Sequence, residues 1–518
     1  MLRPVCVCLI SLWPWLAAGP VKFYPDDPLA AAPPPLSVKL AAARKFNEYY
    51  DFFSNTFARP GELHYKKRAP VPAQGVNTLG EAPDSEWYTG RHYFRRMSLG
   101  ELARGPGPGE PPSLEGPWTV VAAKNEGVTP GFTIVDSRGR RYIIKFDPRS
   151  NPELATAADV ISSKFFYALG YNVPENQIVR FEPSRLRIGE KTLVTDSSGQ
   201  KRRMTSKDLA EILLKAPREK SGSCRAVASL YLAGRPLGPF RYFGTRPDDP
   251  NDTVPHEHRR ELRGLRVFCS WLGHDDSRSI NTLDMLVEQN GRQYIKHHLI
   301  DFGSTLGSAS YGPNSPRSGN EYVFSWRPLA REFFSFGFHL PRWARARFPE
   351  LPAVGRFEHE LFDAENWLPE YPNPAFSNQL PEDAFWAARQ VMAFTDEEIR
   401  AIVKTGEYGD PRAEEWIARA LIGRRDKIGR AFLGRGLALD RFAVPGRELV
   451  FENLGVQHGF QEPKGTEFSW AEFHNPTGAV KPLAGARGPR IPESSSEYLV
   501  ATIRSSTTRE ATPRPGGA

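Results

Sequence analysis

The chain of 518 residues holds only four cysteines and five methionines, and two of the cysteines, Cys6 and Cys8, fall in its first eight residues. A disulfide-dense secreted scaffold is therefore excluded. Beyond residue 17 no apolar run is long enough to span a bilayer. There is no G-x-S-x-G elbow, no P-loop and no G-x-G-x-x-G dinucleotide fingerprint, which removes the usual signatures of serine hydrolysis and of Rossmann-type chemistry. What is present is ample core material, 40% hydrophobic and 12% aromatic, in a chain long enough for two or three domains. The formal charge of +8 is spread and interleaved with acids, so it reads as solvated surface and gives no case for nucleic acid.

The first 19 residues combine a basic start at Arg3, an apolar run from Val5 to Ala17 and a small-residue exit at Ala17-Ala18-Gly19. That pattern resembles a secretory signal peptide and places the protein in an extracytoplasmic compartment, periplasmic or secreted. Its removal leaves Cys224 and Cys269, as one disulfide or as two buried thiols.

Residues 20–116 are rich in Pro and Gly and read as an arm around a folded body, with one helix expected from Ser37 to Phe57, where Leu40, Phe46, Tyr49, Tyr50 and Phe53 recur at helical spacing. Strands follow at Trp118 to Ala123, Phe132 to Val135 and Arg141 to Phe146, then a helix from Ser150 to Gly170 and strands near Gln177 to Phe181 and Arg225 to Leu232. These make a five-stranded small lobe over residues 117–254. From residue 255 to 440 the pattern is helical, with helices at Glu257 to Leu272, Trp326 to Phe334, Asp383 to Val391, Asp396 to Lys404 and Pro411 to Phe432. A small β appendage covers 441–504, and the polar stretch 505–518 reads as disordered. The fold class is α+β with two lobes, the first β-rich and the second helical.

Two strings carry the chemistry. His274-Asp275-Asp276-Ser277-Arg278-Ser279-Ile280-Asn281 has the form H-x-D-x-x-x-x-N, and Asp301-Phe302-Gly303 is D-F-G. Between them, runs on either side of Asn290-Gly291 read as a hairpin. A loop, a hairpin and a second loop bring Asp276, Asn281 and Asp301 to one sheet edge. Asn281 and Asp301 are hard oxygen donors of the type that suits Mg²⁺, and Lys145 ends a strand in Tyr-Ile-Ile-Lys.

Together these motifs resemble the protein-kinase-like superfamily, in its atypical branch of HipA-type bacterial kinases, phosphatidylinositol 3-/4-kinases and secretory-pathway kinases. The resemblance covers residues 118–432 and implies an ATP site between lobes, with Mg²⁺ and an acceptor that is protein, lipid or small molecule. It implies Asp276 as the residue that positions the acceptor hydroxyl, with Asp275 able to share the task, and Lys145 on the phosphates. Asp159 or Glu153 would orient Lys145, Asp159 being preferred for its place in the second helical turn. Lys124 and Gly127, between the first two strands, stand where the phosphate-covering loop belongs. The chain departs from typical members in lacking the glycine-rich loop and A-P-E, and Ala228 to Gly238 resembles the connection between lobes. The departures keep a second reading open, an exported pseudokinase acting as a nucleotide-binding or scaffolding module. The pairs His256/His258 and His297/His298 invite a metal-hydrolase reading, but no H-E-x-x-H is formed.

Overall fold

The computed structural model describes residues 23–24, 27–62, 69–123, 130–195, 200–335, 338, 340–463 and 465–505. The leader-like residues 1–19 and all but the first residue of the stretch 505–518 lie outside them. Before the first long strand come two short helices, α1 (Glu48–Phe53), prolonged by a π turn at Ser54–Ala58, and α2 (Leu99–Arg104).

The first lobe is built on β1 (Trp118–Ala123), β2 (Gly131–Val135) and β3 (Arg141–Lys145), then α3 (Leu154–Ala168), β4 (Asn176–Phe181) and β5 (Leu186–Ile188). A small hairpin, β6 (Leu193–Thr195) and β7 (Lys201–Arg203), leads to α4 (Ser206–Leu214) and β8 (Cys224–Leu230). The sheet has six strands in the order β4-β8-β3-β2-β1-β5, antiparallel except for β1 and β5. The expected sheet had five; the sixth, β5, is only three residues long and carries no periodic signal of its own. The β2–β3 turn forms because Asp136 Oδ1 accepts from the amides of Arg138 and Arg140 while Gly139 takes φ 75°. One face of this sheet closes over Trp118, Phe132, Ile144, Phe146 and Phe181, all buried.

The strand β9 (Arg235–Gly238) leaves the first sheet and pairs instead with the hairpin of the second lobe, β10 (Thr282–Gln289) and β11 (Arg292–Leu299). Asn290 and Gly291, at φ 53° and 71°, make the two-residue turn that sets this register, with Gln289 opposite Arg292. The helical part comprises α5 (Arg260–Leu272), α6 (Trp326–Phe334), α7 (Pro374–Ser377), α8 (Pro381–Met392), α9 (Asp396–Lys404) and α10 (Pro411–Phe432). Helices α5, α8 and α10 pack around Leu265, Phe268, Trp271, Trp386 and Leu421. No helix among the described residues is long and apolar enough to cross a membrane. The chain ends in β12 (Leu439–Ala443), β13 (Val450–Asn453), α11 (Leu454–Gln457) and a three-stranded sheet of β14 (Thr466–His474), β15 (Ala479–Pro482) and β16 (Tyr498–Ser505). Cys224 and Cys269 are buried free thiols.

The segment preceding β1 differs from the helix expected over 37–57. Residues 37–47 are not helical, because their polar groups find partners elsewhere. The Val38 amide donates to the Gln293 carbonyl at 2.7 Å, the Arg44 amide to Leu237 at 2.7 Å, and the Ala42 amide to Asp248 Oδ2 at 2.9 Å. Val38 and Ala41 thereby bury themselves against Leu237 and Ile295. Further along, Trp87, Tyr88, Met97 and Leu102 enter the main core. Gly170, which ends the α3 region at φ 108°, is required there: a Cβ would lie 2.1 Å from the Tyr88 ring.

Candidate functional site

Lys145 is the last residue of β3, and alternation along the strand turns it to the face opposite the buried Ile144. Its ammonium meets Asp159 Oδ2 at 2.5 Å and Asp301 Oδ1 at 3.0 Å. Asp159 lies in the second turn of α3, almost wholly buried, and its other oxygen accepts from Asn176 Nδ2 at 2.8 Å and from the Phe302 amide at 3.3 Å. Burial disfavours the Lys145 charge, but Asp159 and Asp301 outweigh it and hold its pKa above the ordinary lysine value. Glu153 is elsewhere: its carboxylate caps the Gly409 amide at 2.8 Å.

The loop after α5 is delivered by Gly273, whose φ of 63° ends the helix with its amide on the Cys269 carbonyl. His274 follows, buried beside Phe166 and Phe302, and burial lowers its pKa to about 4, so it is neutral. Asp276 comes next but one. Its Oδ1 accepts from Arg278 Nε, and burial raises its pKa to about 7 against the pull of Arg278. Asn281 Nδ2 donates to the Asp276 carbonyl at 2.7 Å, which leaves the Asn281 carboxamide oxygen for a cation. The hairpin β10–β11 then returns the chain so that the Ile300 amide donates to the Asn281 carbonyl at 3.0 Å. Asp301 adopts φ 61°, a left-handed conformation uncommon for Asp, and Phe302 locks the turn by stacking on Phe166 with centroids 5.0 Å apart.

Lys145, Asp276, Asn281 and Asp301 all line one cleft between the lobes, of about 660 Å³. Ile143, Leu283, Met285 and Ile300 give it an apolar wall. This volume lies within the range of small-molecule sites, roughly 300–1,000 Å³. Asp275 does not line it: its carboxylate takes a hydrogen bond from Ser318 Oγ at 2.5 Å and from Asn314 Nδ2 at 3.1 Å, and burial raises its pKa to about 6. Its geometry anchors the chain after D-F-G rather than serving the cleft. Lys124 and Gly127 lie outside the described residues.

Three participants escaped the sequence reading. Asn176 orients Asp159; Arg278 gathers Asp276, Glu48 and Glu370; and Glu48 reaches the cleft wall from α1, some 230 residues away in sequence. Arg278 stands inside the H-x-D-x-x-x-x-N string, so its place in the loop was visible, but its carboxylate partners were not. The His256/His258 and His297/His298 pairs sit away from this cleft, with His256 on Asp252 at 2.7 Å and His297 on Asp284 at 2.7 Å.

A strand-rich lobe and a helical lobe, joined through Tyr231–Gly234 and closing on this Lys-Asp-Asn-Asp set, define a kinase-like fold. No protein-family model matches the sequence, and no curated protein is detectably similar to it. Among solved structures, the chain is similar to a Golgi casein kinase with Mn/ADP bound, at 9% identity and TM-score 0.28, over 64% of this chain and 73% of the other. A second Golgi casein kinase structure gives 10% identity and TM-score 0.29, over 65% and 76%. The Helicobacter pylori proinflammatory kinase CtkA gives 11% identity and TM-score 0.31, over 60% of this chain and 95% of that one. At such identity and superposition, the chemistry of the cleft is read from its own residues.

Proposed function

We propose that this chain is a phosphotransferase of the atypical kinase-like type, using ATP and Mg²⁺ to phosphorylate a hydroxyl on a protein, lipid or small molecule. The observation that carries the proposal is the convergence of Lys145, Asp276, Asn281 and Asp301 on one cleft of nucleotide size. The donor set fits these groups. Asn281 and Asp301 offer hard oxygens for a divalent cation, and Lys145, kept charged by two carboxylates, offers a cation for phosphate oxygens. When bound, a magnesium nucleotide supplies the transferable phosphoryl group and screens its charge.

The remaining work falls to the chain. The Asp159–Asn176 pair fixes Lys145 so that its ammonium faces the cleft without reorganisation. Asp276 uses Oδ1 on Arg278 and keeps Oδ2 to accept the proton of an acceptor hydroxyl. Its pKa near 7 makes it a competent base at neutral pH. A leader resembling a signal peptide supports an extracytoplasmic setting, as in the secretory-pathway members of the resemblance.

One observation favours a second reading, an exported nucleotide-binding scaffold: Arg278 neutralises the very carboxylate that catalysis needs. Thermal denaturation with and without magnesium-ATP, run beside a phosphoryl-transfer assay, separates them. Stabilisation that Asp301→Ala abolishes, with label transferred to the protein or an added acceptor, is the expected result. Stabilisation without transfer establishes the scaffold, and neither response overturns both.

A further inference from the structure

The region that follows the D-F-G turn presents an apolar surface that the proposed chemistry does not use. Trp326 is 69% exposed, Phe333 and Phe334 are each 76% exposed, and Phe338 is 93% exposed. Soluble proteins scatter single apolar residues over their surfaces, but a concentration of nearly bare aromatic rings marks an interaction site. The patch continues toward the cleft. Trp326 packs edge-on to Phe324 at 5.3 Å, Phe324 lies 5.3 Å from Phe57, and Phe57 stacks on Phe53 at 5.9 Å. Phe53 and Phe57 are themselves exposed; Phe53 ends α1, which begins with the cleft residue Glu48, and Phe57 lies in the π turn that prolongs it.

Charge selects the partner. Residues 333–349 contain six aromatics and three arginines and no Asp or Glu. Arg342, Arg345 and Arg347 are all exposed, and only Arg342 approaches a carboxylate, Asp363 at 3.7 Å. A second protein surface would ask for a flat or concave patch that buries its rings against a complementary shape. Here the rings protrude, Phe338 almost entirely. Protruding aromatics flanked by exposed arginines match the layered polarity of a lipid interface, with rings at the acyl boundary and guanidinium groups among phosphates.

We infer that this protein docks on an anionic lipid surface, Trp326, Phe333, Phe334 and Phe338 inserting while Arg345 and Arg347 engage headgroup phosphates. Docking there places the cleft, joined to the patch through Phe53 and Phe57, beside the membrane plane. The inference does not depend on the cleft being catalytic.

The test is flotation of the full chain with phosphatidylcholine vesicles, with and without phosphatidylglycerol. The wild type is expected to float with the anionic vesicles and to lose that binding as salt rises. A Phe333→Ser/Phe334→Ser/Phe338→Ser variant should lose about tenfold or more in partitioning with an unchanged melting curve, since the rings are exposed. An Arg345→Glu/Arg347→Glu variant should lose the preference for anionic lipid. All proteins carry the same first residues, so binding by the leader cancels in the comparison. Equal flotation of the Phe variant and the wild type would overturn the inference. So would absence of wild-type flotation combined with light scattering that shows a dimer abolished by the Phe substitutions, which would assign the patch to a second copy of the chain.

Discussion

Arg278 Nε donates to Asp276 Oδ1, and the same guanidinium also pairs with Glu48 and lies 3.3 Å from Glu370. One cation thus answers three carboxylates at the cleft wall, and it is the main influence holding the Asp276 pKa down to about 7 against burial. In the proposed reaction the carboxylate form works, so the rate should rise as pH passes through about 7. Arg278→Gln removes the opposing cation and should move that rise to higher pH. A pH–rate profile measures it, and a profile that stays in place would show that another group sets the limb.

The same group makes a statement about stability. The folded Asp276 binds its proton more tightly than the unfolded chain, whose ordinary value is 3.8. Its contribution is therefore full below about pH 4 and is lost as pH rises through about 7. The melting temperature of the wild type, relative to Asp276→Asn, should fall across that window. A constant difference would contradict the assignment.

Lys145 and Asp159 form a buried pair, and removing one member strands the other. Lys145→Met is expected to cost about 3–5 kcal/mol in chemical denaturation. The double variant Lys145→Met/Asp159→Leu should recover only part of this, because Asn176 Nδ2 and the Phe302 amide would then lose their shared acceptor.

Gly170→Ala introduces both a strained φ and an overlap with the Tyr88 ring. We expect a loss of about 2–4 kcal/mol. Gly222, at φ 88° with open space around its Cβ position, is the control: alanine there should cost only the backbone strain, about 1 kcal/mol. Similar losses at the two sites would mean that Tyr88 yields.

Deleting residues 20–116 should abolish folding. Trp87, Tyr88, Met97 and Leu102 are buried in the main core, and at about 2 kcal/mol each their burial rivals the whole net stability of a domain, about 5–15 kcal/mol. Circular dichroism of the shortened chain decides it; a cooperative melt near that of the full chain would show the segment to be dispensable.

Much of the fold was legible because its signals are local. The hairpin β10–β11 was readable from Asn290-Gly291 and the strand-like runs on either side of it, and α9 and α10 run over the residues expected, Asp396–Lys404 and Pro411–Phe432. The site was legible where motif spacing carries chemistry, as in Asp276 to Asn281. What failed was whatever depends on distant partners. Residues 37–47 have helical spacing, yet their amides bond to Gln293, Leu237 and Asp248 and they form no helix. Glu48 and Glu370 look like ordinary surface acids until the fold brings them to Arg278. Asn176 reads as a strand residue, and only the position of α3 makes it a partner of Asp159.

The carbonyl of Arg44 lies where a side chain on Gly238 would begin, 2.4 Å from its Cβ position, and the Arg44 amide donates to Leu237 while Arg235 donates to the Ala41 carbonyl. Strand β9, into which the connecting residues 231–234 run, is therefore splinted along its outer edge by residues 41–44. Any movement that bends β9 must shear those hydrogen bonds. The stiffness of the strand that receives that connection is set from outside it, by a segment 194 residues earlier in the chain.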